Sequence, residues 1–123
     1  MALGPFPALR ASRTAIGGPL MRKAFVMSIH AGVEVEYTRR HNPIWPELEA
    51  ILKSHGVDNY SIFLLRKTRQ LFSYAEIDSE QQWAAIATTP ECQRWWHHMA
   101  DVMPHNPDSS PIAEEIIEVF RLD

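Results

Sequence analysis

Asn59-Tyr-Ser-Ile-Phe-Leu-Leu-Arg-Lys-Thr-Arg-Gln-Leu-Phe-Ser-Tyr-Ala-Glu-Ile77 decides the fold. Two apolar runs, 59–65 and 71–77, flank the polar connection Arg66-Lys67-Thr68-Arg69-Gln70, which has the length of a hairpin loop. The runs are therefore expected to pair antiparallel. Upstream, Gly56 stops a helix expected from about Ile44 to His55, whose Ile44, Leu48, Ile51 and Leu52 recur at the spacing that buries one face. Before it, Val33 to His41 sets Val33, Tyr37 and His41 along one stripe of a shorter helix. Pro43 disfavours helical geometry at Asn42, so that helix ends near His41. Ala24-Phe25-Val26-Met27, within Arg22 to Ile29, is apolar and β-prone and reads as a first strand.

Downstream, Asp78 or Ser79 can cap a helix from about Glu80 to Thr88, anchored by Trp83, Ile86 and Ala87. Pro90 opens another, to Val102, which carries Trp95 and Trp96. Met103 to Pro111, rich in proline with Asn106, Asp108 and two serines, reads as loop. Glu115 to Leu122 alternates Ile116, Glu118 and Phe120 against Ile117, Val119 and Arg121, the pattern of a last strand. The order β-α-β-β-α-β, with each helix broken in two, predicts an α+β, ferredoxin-like fold with an antiparallel sheet and helices on one face. Several strands are apolar on both alternating sets, whereas a sheet with one wet face shows polar residues at every second position. The second face is thus expected to pack on a partner's sheet, around a pocket, in a two-fold homodimer.

The 123 residues, 46% hydrophobic, suffice for one domain. Residues 1–20 hold no acid, several prolines and no sustained periodicity, and read as a disordered extension, a tag or a mis-assigned start, ahead of a domain spanning 21–123. A net charge of -3 with dispersed charges offers no basic stripe for nucleic acid. No apolar run approaches the roughly 20 residues that cross a bilayer, so no membrane partner is expected. The lone Cys92 excludes an intrachain disulfide and fits a cytoplasmic setting.

The chemistry-bearing residues converge on Tyr37-Thr-Arg-Arg-His41-Asn-Pro-Ile-Trp45-Pro-Glu-Leu-Glu49. Tyr37 and His41, four apart, share one helix face. At the helix C-terminus the backbone carbonyls favour a positive imidazole, while Arg39 and Arg40 act the other way. Such a histidine is more often a surface or satisfied core residue, and its neighbours are what raise its interest. Tyr60 lies inside a strand, and its position alone favours the core. Trp95 and Trp96 project about 100° apart on a helix, so one of them can be plain packing. Exposed indoles, however, stack well on the CH face of a sugar. The six histidines form no zinc spacing, and Cys92 has no activating neighbour in sequence.

Met21-Arg-Lys-Ala-Phe-Val-Met27, Arg39-Arg-His-Asn-Pro-Ile-Trp-Pro-Glu-Leu48, Leu52-Lys-Ser-His-Gly56, Cys92-Gln-Arg-Trp-Trp96 and Asp101-Val-Met-Pro104 closely resemble the L-rhamnose mutarotase family, and the likeness runs from Met21 to the C-terminus. The resemblance implies a cytoplasmic homodimer built as a dimeric α/β barrel, interconverting the α and β anomers of L-rhamnose with no cofactor and no metal. It makes His41 the proton donor and Tyr37, Tyr60, Trp95 and Trp96 the sugar-binding residues. Mutarotation opens the pyranose by protonating the ring oxygen while a proton leaves the anomeric hydroxyl, and each transfer typically contributes ~10²- to 10⁴-fold. In this reading protonated His41 serves the ring oxygen, and a tyrosine or bound water serves the anomeric hydroxyl. Two rival readings remain open: a dimeric-barrel monooxygenase or haem-handling protein, and a non-catalytic sugar-binding module.

Overall fold

The computed structural model describes residues 21–123, and the expectation for residues 1–20 lies outside the described residues. From Met21 the chain runs β1 (Met21–Ser28), α1 (Glu34–Arg40), α2 (Pro46–Ser54), β2 (Asp58–Leu65), β3 (Gln70–Ile77), α3 (Glu80–Ile86), α4 (Pro90–Met99) and β4 (Glu114–Ile116). Every pairing is antiparallel, and the sheet order is β2-β3-β1-β4, the ferredoxin-like arrangement expected.

Local chemistry explains where the helices begin and end. α2 starts at Pro46 rather than Ile44, because proline lacks the N–H that a first turn leaves unused and its fixed φ already suits a helix. His55 caps the other end, and Gly56 follows at φ +78, the left-handed turn that stops helices. The Ser79 hydroxyl accepts from the Gln82 backbone N–H at 3.1 Å to start α3, and Thr89 accepts from the Cys92 N–H at 3.2 Å to start α4. Each cap contributes about 1 kcal/mol.

The helices cover one face of the sheet. In the β1–β3 register Met27 stands opposite Leu71 and Met21 opposite Ile77, and Leu71, Ala75 and Ile77 are essentially inaccessible. They meet Tyr37, Leu48, Ile86, Cys92, Trp95 and Met99 from the helices. Each fully buried aliphatic side chain here contributes about 1.5–3 kcal/mol. The opposite face presents exposed apolar side chains, Phe63 at 65% and Leu65 at 45% on β2 and Ile116 at 41% on β4, together with polar ones such as the buried Glu76.

Two sequence expectations need correction. The last strand does not span 115–122: its ladder covers Glu114–Ile116, paired with Val26, Phe25 and Ala24. Beyond it Ile117, Val119, Phe120 and Leu122 are all more than two-thirds exposed. A strand is held by packing on its faces as well as by its ladder, and among the described residues nothing covers these side chains. The second difference concerns the pocket, expected against a partner's sheet. It lies instead within one chain, between the helices and the covered face of the sheet.

Candidate active site

A cavity of ≈ 980 Å³ opens between the sheet and the helices, and all five residues singled out in the sequence line it: Tyr37, His41, Tyr60, Trp95 and Trp96. α1 delivers the first two. Tyr37 is buried within the helix, and His41 is the C-cap residue that follows it. The end of α1 is pinned to the end of α4 by Arg40, whose guanidinium donates to Asp101 Oδ1 and to the His98 carbonyl, both at 2.8 Å, and to Glu36 Oε2 at 2.6 Å. Arg39 and Arg40 together pull the Glu36 carboxyl down to about 2. The arginines beside His41 are therefore engaged by carboxylates, and the cavity receives the imidazole rather than their charge.

The His41 ring has a defined tautomer. Nδ1 lies 2.9 Å from the Tyr37 carbonyl oxygen. A carbonyl only accepts, so Nδ1–H donates and Nε2 keeps a lone pair. The ring stacks at 4.4 Å on Tyr37 and meets Trp95 edge-on at 5.1 Å and 89°. Burial lowers the imidazole below its usual 6.5, outweighing the bond to the Tyr37 carbonyl, which raises it. The positive imidazole favoured by the helix carbonyls is thus opposed by desolvation, which shifts His41 toward its neutral form. Burial has the opposite sign for the phenols: it raises both Tyr37 and Tyr60, so both hydroxyls keep their protons.

Trp95 and Trp96 both border the cavity from α4, the first buried and the second half-buried. Trp95 is wedged by Trp45 at 5.1 Å, and Trp45 in turn lies 5.0 Å from His98. Tyr60 is half-buried on β2 and makes a ring cluster with Phe25 at 6.3 Å and Trp83 at 6.1 Å. It belongs to both descriptions weighed from sequence, packed on the core and facing the cavity.

Sequence reasoning passed over some of the wall. Trp83 was an anchor of α3, yet it faces the cavity beside Phe25, their rings 5.8 Å apart. Lys23 also lines the cavity, bound to Glu80 at 2.9 Å and Glu115 at 3.2 Å. Its signal was available: Lys23 shares the alternating set of Phe25 and Met27, and a charge on a buried set calls for partners. Ser109 and Ser110 reach the cavity from the 103–111 loop, which is knotted by Asn106 and Ser110 and joined by a bridge between His105 and Pro111. Cys92, buried, has its thiol pushed up to about 11, and it is no nucleophile at neutral pH. Among the described residues no three His, Cys, Asp or Glu side chains gather into a metal-holding group.

Comparison with known proteins places the chain in a family. The family model for L-rhamnose mutarotase matches residues 22–122. A relative from Opitutus terrae, named L-rhamnose mutarotase, is 66% identical over 104 residues, covering 85% of this chain and all of that protein. A crystal structure of an L-rhamnose mutarotase from Formosa agariphila superposes with a TM-score of 0.77 at 37% identity, over 84% of this chain and 99% of that one. A dimeric ferredoxin-like protein from an uncultured marine organism, at 10% identity, 83% and 91% coverage and TM-score 0.50, shares the fold alone. With the family model spanning nearly the whole described chain, this protein belongs to the L-rhamnose mutarotase family.

Proposed function

We propose that the cavity binds L-rhamnose and that His41 carries the proton whose movement interconverts its α and β anomers. The chain is accordingly an isomerase of rhamnose metabolism. The observation that supports the residue roles best is the His41 imidazole, held by the Tyr37 carbonyl in one tautomer, desolvated, and flanked by Trp95 in a cavity large enough for a monosaccharide.

Ring opening breaks the bond between the anomeric carbon and the ring oxygen as the anomeric hydroxyl becomes a carbonyl. One proton leaves that hydroxyl and one arrives at the ring oxygen. The neutral imidazole accepts the anomeric hydroxyl's proton at Nε2 while a tyrosine hydroxyl or a bound water gives one to the ring oxygen. On reclosure that group takes its proton back and the imidazolium donates to the carbonyl oxygen, so His41 is the proton donor of the returning half of the cycle. The protonated phenols of Tyr37 and Tyr60 are suited to donate to sugar oxygens. Tyr60, Trp95 and Trp96 supply flat apolar walls for a neutral substrate with a methyl substituent.

We also propose a homodimer closed as an α/β barrel, in the cytoplasm. Phe63, Leu65 and Ile116 on the open sheet face, followed by the exposed apolar residues 117–122, support association with a second copy. A buried thiol suits a reducing compartment, and no helix among the described residues is long and apolar enough to cross a membrane. Saturation-transfer NMR on equilibrated L-rhamnose tests the activity. Catalytic amounts of protein should accelerate exchange between anomer signals. Line broadening at high protein concentration without faster exchange would mark a binder instead and refute the proposal.

A further inference from the structure

β2 slips register once. Asp58 stands opposite Glu76 and Ser61 opposite Tyr74, so Asn59 and Tyr60 share the place opposite Ala75. Two residues against one is a β-bulge, a device that re-aims side chains next to sites. Counted from the Asp58–Glu76 pair, strict alternation would set residue 60 opposite Tyr74 and turn it to the open face. The extra residue returns Tyr60 to the set of Ile62 and Leu64, whose partners Ser73 and Leu71 are buried under the helices. Asn59 makes this possible at φ +48, the left-handed region where asparagine is tolerated better than most side chains.

The bulge is held from the neighbouring strand. Asn59 Nδ2 donates to Glu76 Oε1 at 2.7 Å, and the Tyr74 hydroxyl donates to Glu76 Oε2 at 2.8 Å. Glu76 is 1% exposed, so these are bonds to a desolvated carboxylate, stronger than neutral ones. We propose that Glu76 is a positioning residue for the sugar site: its carboxylate clamps Asn59 in the bulge and thereby holds the Tyr60 ring on the cavity wall against Phe25 and Trp83. The inference rests on the reading of Tyr60 as a sugar-binding residue.

The test uses Asn59→Asp, which keeps size and tolerance of the left-handed backbone but sets a carboxylate against a carboxylate. The double variant Asn59→Asp with Glu76→Gln re-forms the bond with its donor and acceptor exchanged. The full-length chain holds three tyrosines, so ring-labelled tyrosine NMR, assigned with Tyr60→Phe, follows the Tyr60 ring directly through the ring currents of Phe25 and Trp83. Asn59→Asp should move the Tyr60 resonances and raise KM for L-rhamnose about three- to ten-fold with kcat within about two-fold, as expected when a charge-assisted bond behind a binding wall is lost. The double variant should restore both readouts, a rescue that a merely structural role would not produce. Asn59→Gly, which removes the clamp without adding charge, should reproduce the loss should Asn59→Asp fail to fold. Tyr60 resonances and KM unchanged in Asn59→Gly, or no recovery in a folded double variant, would overturn the inference alone. If Tyr60→Phe and Tyr60→Ala both leave KM unchanged, the reading of Tyr60 itself fails, and the inference with it.

Discussion

His41→Gln separates the chemistry of the site from its packing. A positioned acid–base group contributes about 10²- to 10⁴-fold, which at 1.36 kcal/mol per decade is roughly 3–5 kcal/mol of transition-state stabilisation. The stability lost is smaller. The bond from Nδ1–H to the Tyr37 carbonyl is neutral and about 1 kcal/mol net. The ring contacts with Tyr37 and Trp95 add about 0.5–1.5 kcal/mol each. A glutamine amide at a helix end recovers part of this, so a net loss of about 1–2 kcal/mol is expected, or about 5–15 °C in Tm for a domain of this size. The variant therefore stays folded at 25 °C while its anomer exchange rate falls by two to four decades. The pH profile is a second signature. In the proposed cycle the neutral form of His41 acts first, and burial lowers its pKa below 6.5, so kcat/KM of the wild type should rise with pH through that lowered value and level off near neutrality. The residual activity of His41→Gln should lack this step. A folded variant exchanging anomers within three-fold of wild type would refute the role given to the imidazole.

The same lowered pKa links stability to pH. Between its folded value and 6.5 the unfolded chain binds a proton at His41 that the folded chain does not, so stability rises with pH across that window and is lost as pH falls through it. Thermal melts stepped from pH 7 downward should show a decline that His41→Gln lacks. Trp96→Ala removes a half-buried wall, and it should raise KM for L-rhamnose several-fold with a Tm change under about 5 °C, given the limited burial of that side chain. Gly56→Ala should lower stability by about 1–3 kcal/mol in urea titration, because φ is +78 and the new Cβ would sit 2.7 Å from Asp78 Cγ. Phe63→Asp, at a side chain 65% exposed on the open face, should leave the fold intact and shift sedimentation from dimer to monomer. An unchanged dimer would remove that face from the interface.

The order of elements was legible in the sequence because each carries its own punctuation: Pro46 and Pro90 at first turns, Gly56 at a helix end, and a polar loop between two apolar runs. Tyr37 and His41 were legible as a pair because a helix converts a separation of four into one face. The end of β4 was not, since the alternation of 115–122 is real but a strand also needs cover, and only the folded arrangement reveals that residues 117–122 have none within the described chain. The side of the sheet that holds the cavity was equally invisible, because apolar residues on both alternating sets look alike until helices settle on one of them.

Two features belong wholly to the tertiary structure. The pKa of His41 is pulled one way by helix carbonyls, which are local and can be read from residue order, and the other way by burial to which Trp95, more than fifty positions away, contributes. The orientation of Tyr60 depends on a bulge held by Glu76 from the next strand, and a period-two pattern carries no mark of an inserted residue. Sequence alone singled out five groups that line the cavity, since family strings and local spacing are properties of the chain. The packing of distant segments decided which of them lost water and which way they faced.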